Sequence, residues 1–178
     1  TQLREALAER GMADRFMCPA LSHWPVLAMQ IVIAEIAKLQ KERITLVGSS
    51  LGGFYATVVA EKVGCRAAVI NPAVHPQRLF ERHLGPQENL YTKERFEVTR
   101  EHIAELAAFD PPAITRPERY WLLAETGDEV LDYREAVAYY AGAFHSIVQG
   151  GDHTLQSFPE FIPDLVAWAA GEGEARTT

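Results

Sequence analysis

The stretch "GSSLGG", residues 48–53, separates the apolar run "ITLV", residues 44–47, from a helical pattern that begins at Leu51. A short unbroken apolar run is typical of a parallel strand that is covered on both faces. Small residues between such a strand and a helix indicate either a tight structural turn or a nucleophile held up for attack. The stretch therefore predicts a tight strand-to-helix turn and a candidate reactive site at that turn.

The rest of the chain alternates strand-like and helix-like segments. Strands are predicted at residues 15–21, 43–48, 67–71, 119–125 and 145–149, and helices at residues 2–10, 25–40, 51–62, 93–109, 133–143 and 155–170. This alternation predicts an α/β fold with a doubly wound, mostly parallel sheet between two layers of helices. Prolines interrupt the rhythm in residues 72–117. We predict that this segment is a cap-like insertion within a single domain.

Composition limits the classes of partner. The 178 residues are 48% hydrophobic and carry a formal net charge of −7. An acidic chain without a basic patch argues against binding to nucleic acid or to an anionic membrane, and no apolar run approaches the roughly 18 residues of a membrane span. Cys18 and Cys65 are far apart and form no disulfide framework. A cytoplasmic protein with a small-molecule substrate is predicted.

The glycine-rich turn fits one motif and fails two others. A dinucleotide fingerprint needs glycine two residues after Gly48, where Ser50 stands, and a P-loop needs a lysine that the stretch lacks. The match is to G-x-S-x-G, in which a serine on a strained turn needs small neighbours at both glycine positions. Ser50 is the predicted nucleophile, and the backbone N–H of Leu51 is the predicted oxyanion donor. A purely structural turn is the alternative.

A serine hydroxyl needs a base and an orienting carboxylate, and in this fold the chain order is serine, acid, histidine. Asp128 follows the strand predicted at residues 119–125, and His153 follows the strand at residues 145–149 through two glycines. The carboxyl ends of parallel strands meet at one edge of a sheet, where ligands bind. The predicted catalytic residues are Ser50, Asp128 and His153.

Other acids and histidines compete for these roles. Glu125 is predicted to lie on its strand, Glu129 one residue too far round the turn, and Asp132 at the start of a helix as its N-cap, with Glu135 completing a capping box. Asp152 is predicted to shape its turn rather than to replace Asp128. Surface or packing roles are expected for the remaining histidines, of which His23 is the strongest rival because its loop also follows a predicted strand. The other histidines are His75, His83, His102 and His145.

Such a triad would hydrolyse an acyl substrate through a covalent acyl-enzyme. That chemistry requires no metal and no organic cofactor, and the sequence has no cluster of ligand-type residues at metal-binding spacing. Five apolar residues of the insertion either line an acyl pocket or bury the underside of the insertion itself. They are Phe80, Leu84, Leu90, Tyr91 and Phe96.

The segments "VGSSLGGFYAT", "NPAV", "GPQENLYT", "TGDEVLDYREAVAYY" and "GGDHTLQSF" resemble the small YqiA-like esterases of bacteria, within the α/β-hydrolase superfamily. The resemblance extends from about residue 42 to residue 162. It implies hydrolysis of simple carboxylic esters, with acyl thioesters as an alternative substrate. It also implies that Ser50, Asp128 and His153 are the nucleophile, acid and base.

The sequence departs from that family at its beginning. Members of the family start with a short apolar strand and a His-Gly-Phe-type loop, whose backbone supplies a second oxyanion donor. Here Thr1 falls where the helix after that loop should begin. We expect this strand and loop to precede Thr1 in the functional protein. Two further alternatives are an amide hydrolase that uses the same triad and a non-catalytic binding protein that keeps the fold.

Overall fold

A computed structural model describes residues 2–40, 44–88, 93, 95–173, 175 and 177. Its helices are α1 (Gln2–Glu9), α2 (Pro25–Ile36), α3 (Leu51–Val63), α4 (Pro76–Phe80), α5 (Arg100–Phe109), α6 (Tyr133–Tyr139) and α7 (Phe158–Ala170). Its strands are β1 (Thr45–Ser49), β2 (Arg66–Ile70), β3 (Gly85–Glu88), β4 (Arg95–Val98), β5 (Tyr120–Glu125) and β6 (Phe144–Val148).

Four strands form a parallel sheet in the order β1-β2-β5-β6. The register aligns Ser49 with Ile70, Ile70 with Leu123, and Glu125 with Val148. The strands therefore end close to one another, and the turns that follow them share one edge of the sheet. The predicted parallel sheet is confirmed.

Alternate residues of each central strand face opposite helix layers, as the pleat of a strand requires. Ala67 and Val69 of β2 belong to a cluster with residues of α2 and α3, whereas Ala68 and Ile70 belong to a second cluster with residues of α7. Trp121 of β5 is fully buried in that second cluster. The sheet is thus covered on both faces, and the predicted α/β architecture is confirmed.

The strand predicted at residues 15–21 is wrong. Residues Ala13–Arg15 form a 3₁₀ turn, and residues 16–22 have no regular structure. Pro19 has no N–H to donate to a sheet, and Met17 is 48% exposed. A segment that is neither paired nor buried gains nothing from strand geometry. His23 therefore does not follow a strand.

The helix predicted at residues 93–109 is wrong in its first half. Residues Arg95–Val98 form β4, which pairs with β3 in an antiparallel hairpin. The helix begins only at Arg100, because Thr99 forms a capping box with His102. Within β4 the apolar residues Phe96 and Val98 alternate with charged ones, which is a strand period rather than a helix period.

The other predicted elements exist within a few residues of their expected bounds. Helix α2 ends at Ile36 rather than at residue 40, α6 ends at Tyr139 rather than at residue 143, and α7 begins at Phe158 rather than at residue 155. Among the helices that the structure describes, none is long and apolar enough to span a membrane.

The apolar residues of the predicted insertion have different environments. Phe80 packs against the main core cluster, Phe96 stacks on His23 with ring centroids 4.9 Å apart, and Leu84 is 42% exposed. Leu90 and Tyr91 lie outside the described residues, as do Arg43 of the predicted strand at residues 43–48 and Glu94 of the predicted helix at residues 93–109. The strand and loop expected before Thr1 also lie beyond them and stay a prediction.

Candidate active site

Ser50 lies on a strained turn between β1 and α3. Its φ and ψ angles are 54° and −122°, a conformation that a residue with a side chain rarely adopts. The backbone around it is held in place: Ser50 N–H donates to the carbonyl of Ile70 (2.9 Å), and the Ser50 carbonyl accepts from the N–H groups of Gly53 (2.9 Å) and Ala73 (3.1 Å). Such strain persists only where surrounding contacts enforce it, and it often marks a functional site.

The glycines of this turn have unequal roles. A Cβ atom on Gly48 would overlap the carbonyl group of Gly52, and one on Gly53 would lie 2.8 Å from the Cβ of Pro72. A Cβ on Gly52 would meet nothing within 4 Å. The expectation that both motif glycines must be small is therefore correct for Gly48 and wrong for Gly52. The backbone carbonyl of Gly52, rather than its α-carbon, makes the close contact.

The structure brings the three predicted site residues together. His153 Nε2 lies 3.0 Å from Ser50 Oγ, and His153 Nδ1 lies 2.8 Å from Asp128 Oδ2. With the ring proton on Nδ1, His153 donates to the carboxylate and its Nε2 accepts from the serine hydroxyl. The Asp128 side chain is 2% exposed and that of His153 is 21% exposed. The buried carboxylate thus contacts an imidazole that is partly exposed to solvent.

Asp128 is fixed by its own turn as well as by the histidine. Its Oδ1 atom accepts hydrogen bonds from the N–H groups of Val130 (2.8 Å) and Leu131 (2.9 Å). These bonds satisfy the carboxylate in a buried position and set the direction in which it faces the imidazole.

Leu51, the predicted oxyanion donor, is the first residue of α3, and N–H groups in the first turn of a helix have no partner within that helix.

The competing acids occupy other positions. Asp132 is the N-cap of α6, as predicted, and its side chain accepts from the N–H of Arg134 (3.0 Å). The capping box predicted with Glu135 was wrong, because Asp132 binds the second residue of the helix and not the third. Glu129 accepts from the backbone N–H of His153 (3.1 Å). Glu129 thus binds the backbone of His153, whereas the ring nitrogens of His153 contact Asp128 and Ser50.

Asp152 shapes its turn, as expected. Its Oδ1 atom accepts from the backbone N–H of Thr154 (2.8 Å) and from the Thr154 hydroxyl. Hydrogen bonds from the Thr154 side chain, the Thr154 backbone and Gln156 lower the pKa of Asp152 below its ordinary value. The Asp152 carboxylate is therefore hydrogen-bonded to residues of its own loop.

The other histidines also have partners elsewhere. His75 Nδ1 contacts Asp110 (2.5 Å), and His145 Nε2 contacts the carbonyl of Tyr140 (2.8 Å). His102 is buried at the start of α5. The surface or packing roles predicted for His75, His102 and His145 agree with these contacts.

Two buried polar residues next to the site were not predicted as part of it. Asn71 is 3% exposed at the end of β2, and Glu125 is 1% exposed at the end of β5. Both contact the loop that carries His153. A polar residue that ends an otherwise apolar strand was the available signal for both.

Among the described residues, no group of three or more histidine, cysteine, aspartate or glutamate residues is arranged to hold a metal ion.

The chain belongs to the uncharacterised protein family UPF0227, whose model matches residues 1–170. This match confirms the predicted kinship with the YqiA-like proteins. The family's description names no activity, so it places the chain among its relatives without assigning a reaction.

Solved α/β-hydrolase structures share this fold. A protein from Agrobacterium vitis S4 that carries the provisional name hydrolase is 19% identical, with a TM-score of 0.66 over 82% of this chain and 68% of that one. Mouse alpha/beta hydrolase domain-containing protein 10 is 18% identical, with a TM-score of 0.59 over 81% and 70%. The esterase domain of a Rhodothermus marinus protein is 22% identical, with a TM-score of 0.54 over 82% and 67%. At these identities the likeness establishes the α/β-hydrolase fold.

Proposed function

We propose that this protein is a serine hydrolase that cleaves small carboxylic esters through a Ser50–His153–Asp128 triad. The observation that carries the proposal is the unbroken line of contacts from Ser50 Oγ through the imidazole to Asp128, at 3.0 Å and 2.8 Å. Nucleophile, base and orienting acid each lie within hydrogen-bond reach of the next, which is the geometric criterion for this chemistry. The esterase domain among the structural neighbours supports the proposal at the level of the fold.

In the first half of the reaction Ser50 Oγ attacks the ester carbonyl while His153 Nε2 accepts the hydroxyl proton. Asp128 holds the ring through Nδ1–H and stabilises the imidazolium that forms. Collapse of the tetrahedral intermediate breaks the bond to the leaving alcohol, which takes the proton from His153 Nε2. The products of this half are the free alcohol and an acyl group on Ser50.

In the second half a water molecule attacks the acyl carbonyl as His153 Nε2 accepts its proton. The second tetrahedral intermediate collapses, Ser50 Oγ leaves and regains the proton, and the carboxylic acid departs. In both intermediates negative charge develops on the former carbonyl oxygen. The Leu51 N–H at the start of α3 is the proposed donor to that oxygen, assisted by the positive end of the helix.

The size of the proposed substrate is inferred from the short elements of residues 72–117. Residues 72–117 are proposed to cap the site, and their elements are short, with five residues in α4 and four in each strand of the hairpin. A small cap favours a small acyl group.

The location is proposed from the cysteines. Cys18 and Cys65 are free thiols, the first exposed and the second buried. Free thiols fit a reducing compartment, and we propose a cytoplasmic location.

Hydrolysis of p-nitrophenyl acetate by wild type, Ser50→Ala and Ser49→Ala tests the proposal. Ser49 is the matched control, because it precedes the proposed nucleophile and ends β1. Ser50→Ala is expected to lose nearly all turnover, about 10⁴-fold or more, whereas Ser49→Ala is expected to keep it. Comparing acetate with longer acyl esters would then define the preferred chain length.

Two results would contradict the proposal. A wild-type protein that is folded but turns over no ester would favour a non-catalytic binding role. A Ser50→Ala protein that keeps the activity of Ser49→Ala would show that another group is the nucleophile.

A further inference from the structure

The Glu125 carboxylate is buried inside the loop that carries His153. We call residues 149–157 the histidine loop. Glu125 Oε2 accepts from the N–H groups of Asp152 (2.8 Å) and Gln156 (3.0 Å), and Oε1 accepts from the N–H of Ser157 (2.8 Å). One carboxylate thus binds the loop on both sides of His153. The loop is wrapped around the end of β5.

Asn71 binds the same loop from the other direction. Its side-chain amide donates to the carbonyls of Asp152 and His153, each at 3.1 Å, while its Oδ1 atom accepts from the N–H of Glu125 (3.0 Å). Asn71 has a φ angle of 38°, in the left-handed region that asparagine tolerates better than most residues. The two side chains form one connected network that satisfies both N–H and carbonyl groups next to the imidazole.

The backbone of the loop fits closely against these groups. A Cβ atom on Gly151, where φ is 69°, would overlap the Glu125 carboxylate. The N–H of Gly127, in the turn that carries Asp128, donates to the carbonyl of Gly150 (2.8 Å). The acid turn and the histidine loop are therefore joined directly, and Glu125 lies at the junction of the two.

Glu125 is held as a carboxylate and not as a neutral acid. Burial alone raises the pKa of a carboxyl group. Here that effect is outweighed by hydrogen bonds from Ser157, Asp152 and Gln156, which lower the pKa of Glu125 below its ordinary value. An ionised carboxylate accepts hydrogen bonds and donates none, so all its bonds are available to backbone N–H groups.

We infer that Glu125 and Asn71 are positioning residues that set His153 at bonding distance from both Ser50 and Asp128. This inference rests on the proposed function, since it concerns the base of that triad. The two contacts of the imidazole, at 3.0 Å and 2.8 Å, depend on where the loop places one side chain. Displacement of a catalytic group by about 1 Å can cost about 10²-fold in rate.

Glu125→Gln and Asn71→Gly test the inference, and Tyr140→Phe is the control. Glutamine has the size of glutamate, but in either orientation its amide NH₂ would face at least one backbone N–H group that now donates to the carboxylate. Glycine removes the Asn71 side chain and tolerates the positive φ angle. The Tyr140 hydroxyl is also buried, 2.6 Å from the Thr57 hydroxyl, so the control loses a buried hydrogen bond that does not involve the histidine loop.

Two readouts separate positioning from general stability. For p-nitrophenyl acetate, kcat is expected to fall about 10²-fold in both test variants, with KM within about threefold of wild type. The low-field proton resonance of His153 Nδ1–H, which reports its bond to Asp128, is expected to weaken or disappear in both. Tyr140→Phe is expected to keep wild-type kcat and the resonance.

The inference is overturned if both variants keep the resonance and a kcat within about threefold of Tyr140→Phe. Should Glu125→Gln not fold, Asn71→Gly decides. Failure of the proposed function gives a different pattern, because wild type itself would then show no turnover. The resonance would still report whether Glu125 and Asn71 position the ring, since that bond needs no substrate.

Discussion

The carboxyl edge of the sheet and the proposed insertion at residues 72–117 are held by different kinds of contact. At the edge, the side chains of Asp128 and Glu125 are almost fully buried, and each accepts at least three hydrogen bonds. In the hairpin of the insertion, Arg95 and Glu88 form an ion pair 3.8 Å apart, with 88% and 44% of their side chains exposed. Exposed pairs of this kind contribute little to stability.

The insertion is attached through a few stronger contacts. Asp110, with its side chain 10% exposed, accepts from Gln77 (2.7 Å) and contacts His75. Glu61 of α3 accepts from the N–H of Thr115 (3.1 Å). We therefore propose that the sheet edge fixes the reacting groups, whereas residues 72–117, the proposed cap, contribute to substrate binding. Substitutions of the buried carboxylates at the edge should therefore change turnover, and substitutions in residues 72–117 should not.

The largest contrast within the edge is expected between two aspartates four residues apart, Asp128 and Asp132. Asp128→Asn is expected to reduce kcat about 10⁴-fold, because an amide cannot hold the imidazole in the required tautomer. Asp132→Asn is expected to leave kcat unchanged, because that side chain caps α6 and asparagine is an equally good cap. Steady-state ester hydrolysis measures both.

A larger loss of kcat in Asp132→Asn than in Asp128→Asn would assign the acid role to Asp132. It would also contradict the expectation that the buried carboxylates at the edge determine turnover. The thermal midpoint of each variant is the control, since both should remain folded at the assay temperature.

The next contrast separates the two motif glycines. Gly48→Ala is expected to destabilise the protein by about 1–3 kcal/mol and to reduce kcat by about 10²-fold, because the new methyl group overlaps the Gly52 carbonyl. Gly52→Ala, whose methyl group would meet nothing within 4 Å, is expected to be neutral or to stabilise α3 by a few tenths of a kcal/mol. Urea unfolding and ester hydrolysis distinguish them.

Equal destabilisation by the two substitutions would mean that the motif acts through a general need for small residues. That result would contradict the specific contact seen at Gly48.

Features encoded by neighbouring residues were predictable from sequence. The strained turn at Ser50 depends on glycines within a few residues of it, and Asp128 and His153 each follow a predicted strand directly. Parallel strands bring such turns to one edge, so the composition of the site followed from the order of elements. The errors at residues 15–21 and 93–99 arose where a short segment is decided by its partners: the first finds none, and the second pairs with β3.

The Asn71–Glu125 network was not predictable in the same way. Asn71 contacts His153 across 82 positions of the chain, and Glu125 contacts Ser157 across 32. The sequence predicts correctly that Glu125 lies on its strand, but that position alone gives no sign of the backbone groups that Glu125 binds. A buried carboxylate that binds only backbone N–H groups produces no recognisable sequence motif, because every residue except proline has such a donor.

A smaller effect concerns the pH dependence of stability at the edge. The pKa of Glu125 is lowered in the folded protein, so its stabilising contribution is complete above the ordinary pKa of 4.5 and is lost as pH falls through the lowered value. We expect wild type to exceed Glu125→Gln in unfolding free energy near pH 7, and this difference to narrow in acid. Urea unfolding over a pH series measures it, and a constant difference would contradict the assignment.

The smallest effect on turnover is expected in the insertion. Asp110→Asn weakens the contacts with His75 and Gln77 and is expected to lower stability by about 1 kcal/mol. Because Asp110 does not contact the triad, kcat for p-nitrophenyl acetate should stay within about threefold of wild type. A kcat loss comparable to that of Gly48→Ala would show that the insertion helps to fix the reacting groups.

The central claim, that Ser50 is a nucleophile activated by His153, is tested most directly by covalent labelling with a fluorophosphonate probe. We expect one adduct per chain in the intact mass spectrum, mapped by peptide analysis to Ser50 and not to Ser49. Labelling should be absent in Ser50→Ala and greatly slowed in Asp128→Asn. An adduct on another residue, or a folded wild-type protein that does not react, would contradict the claim.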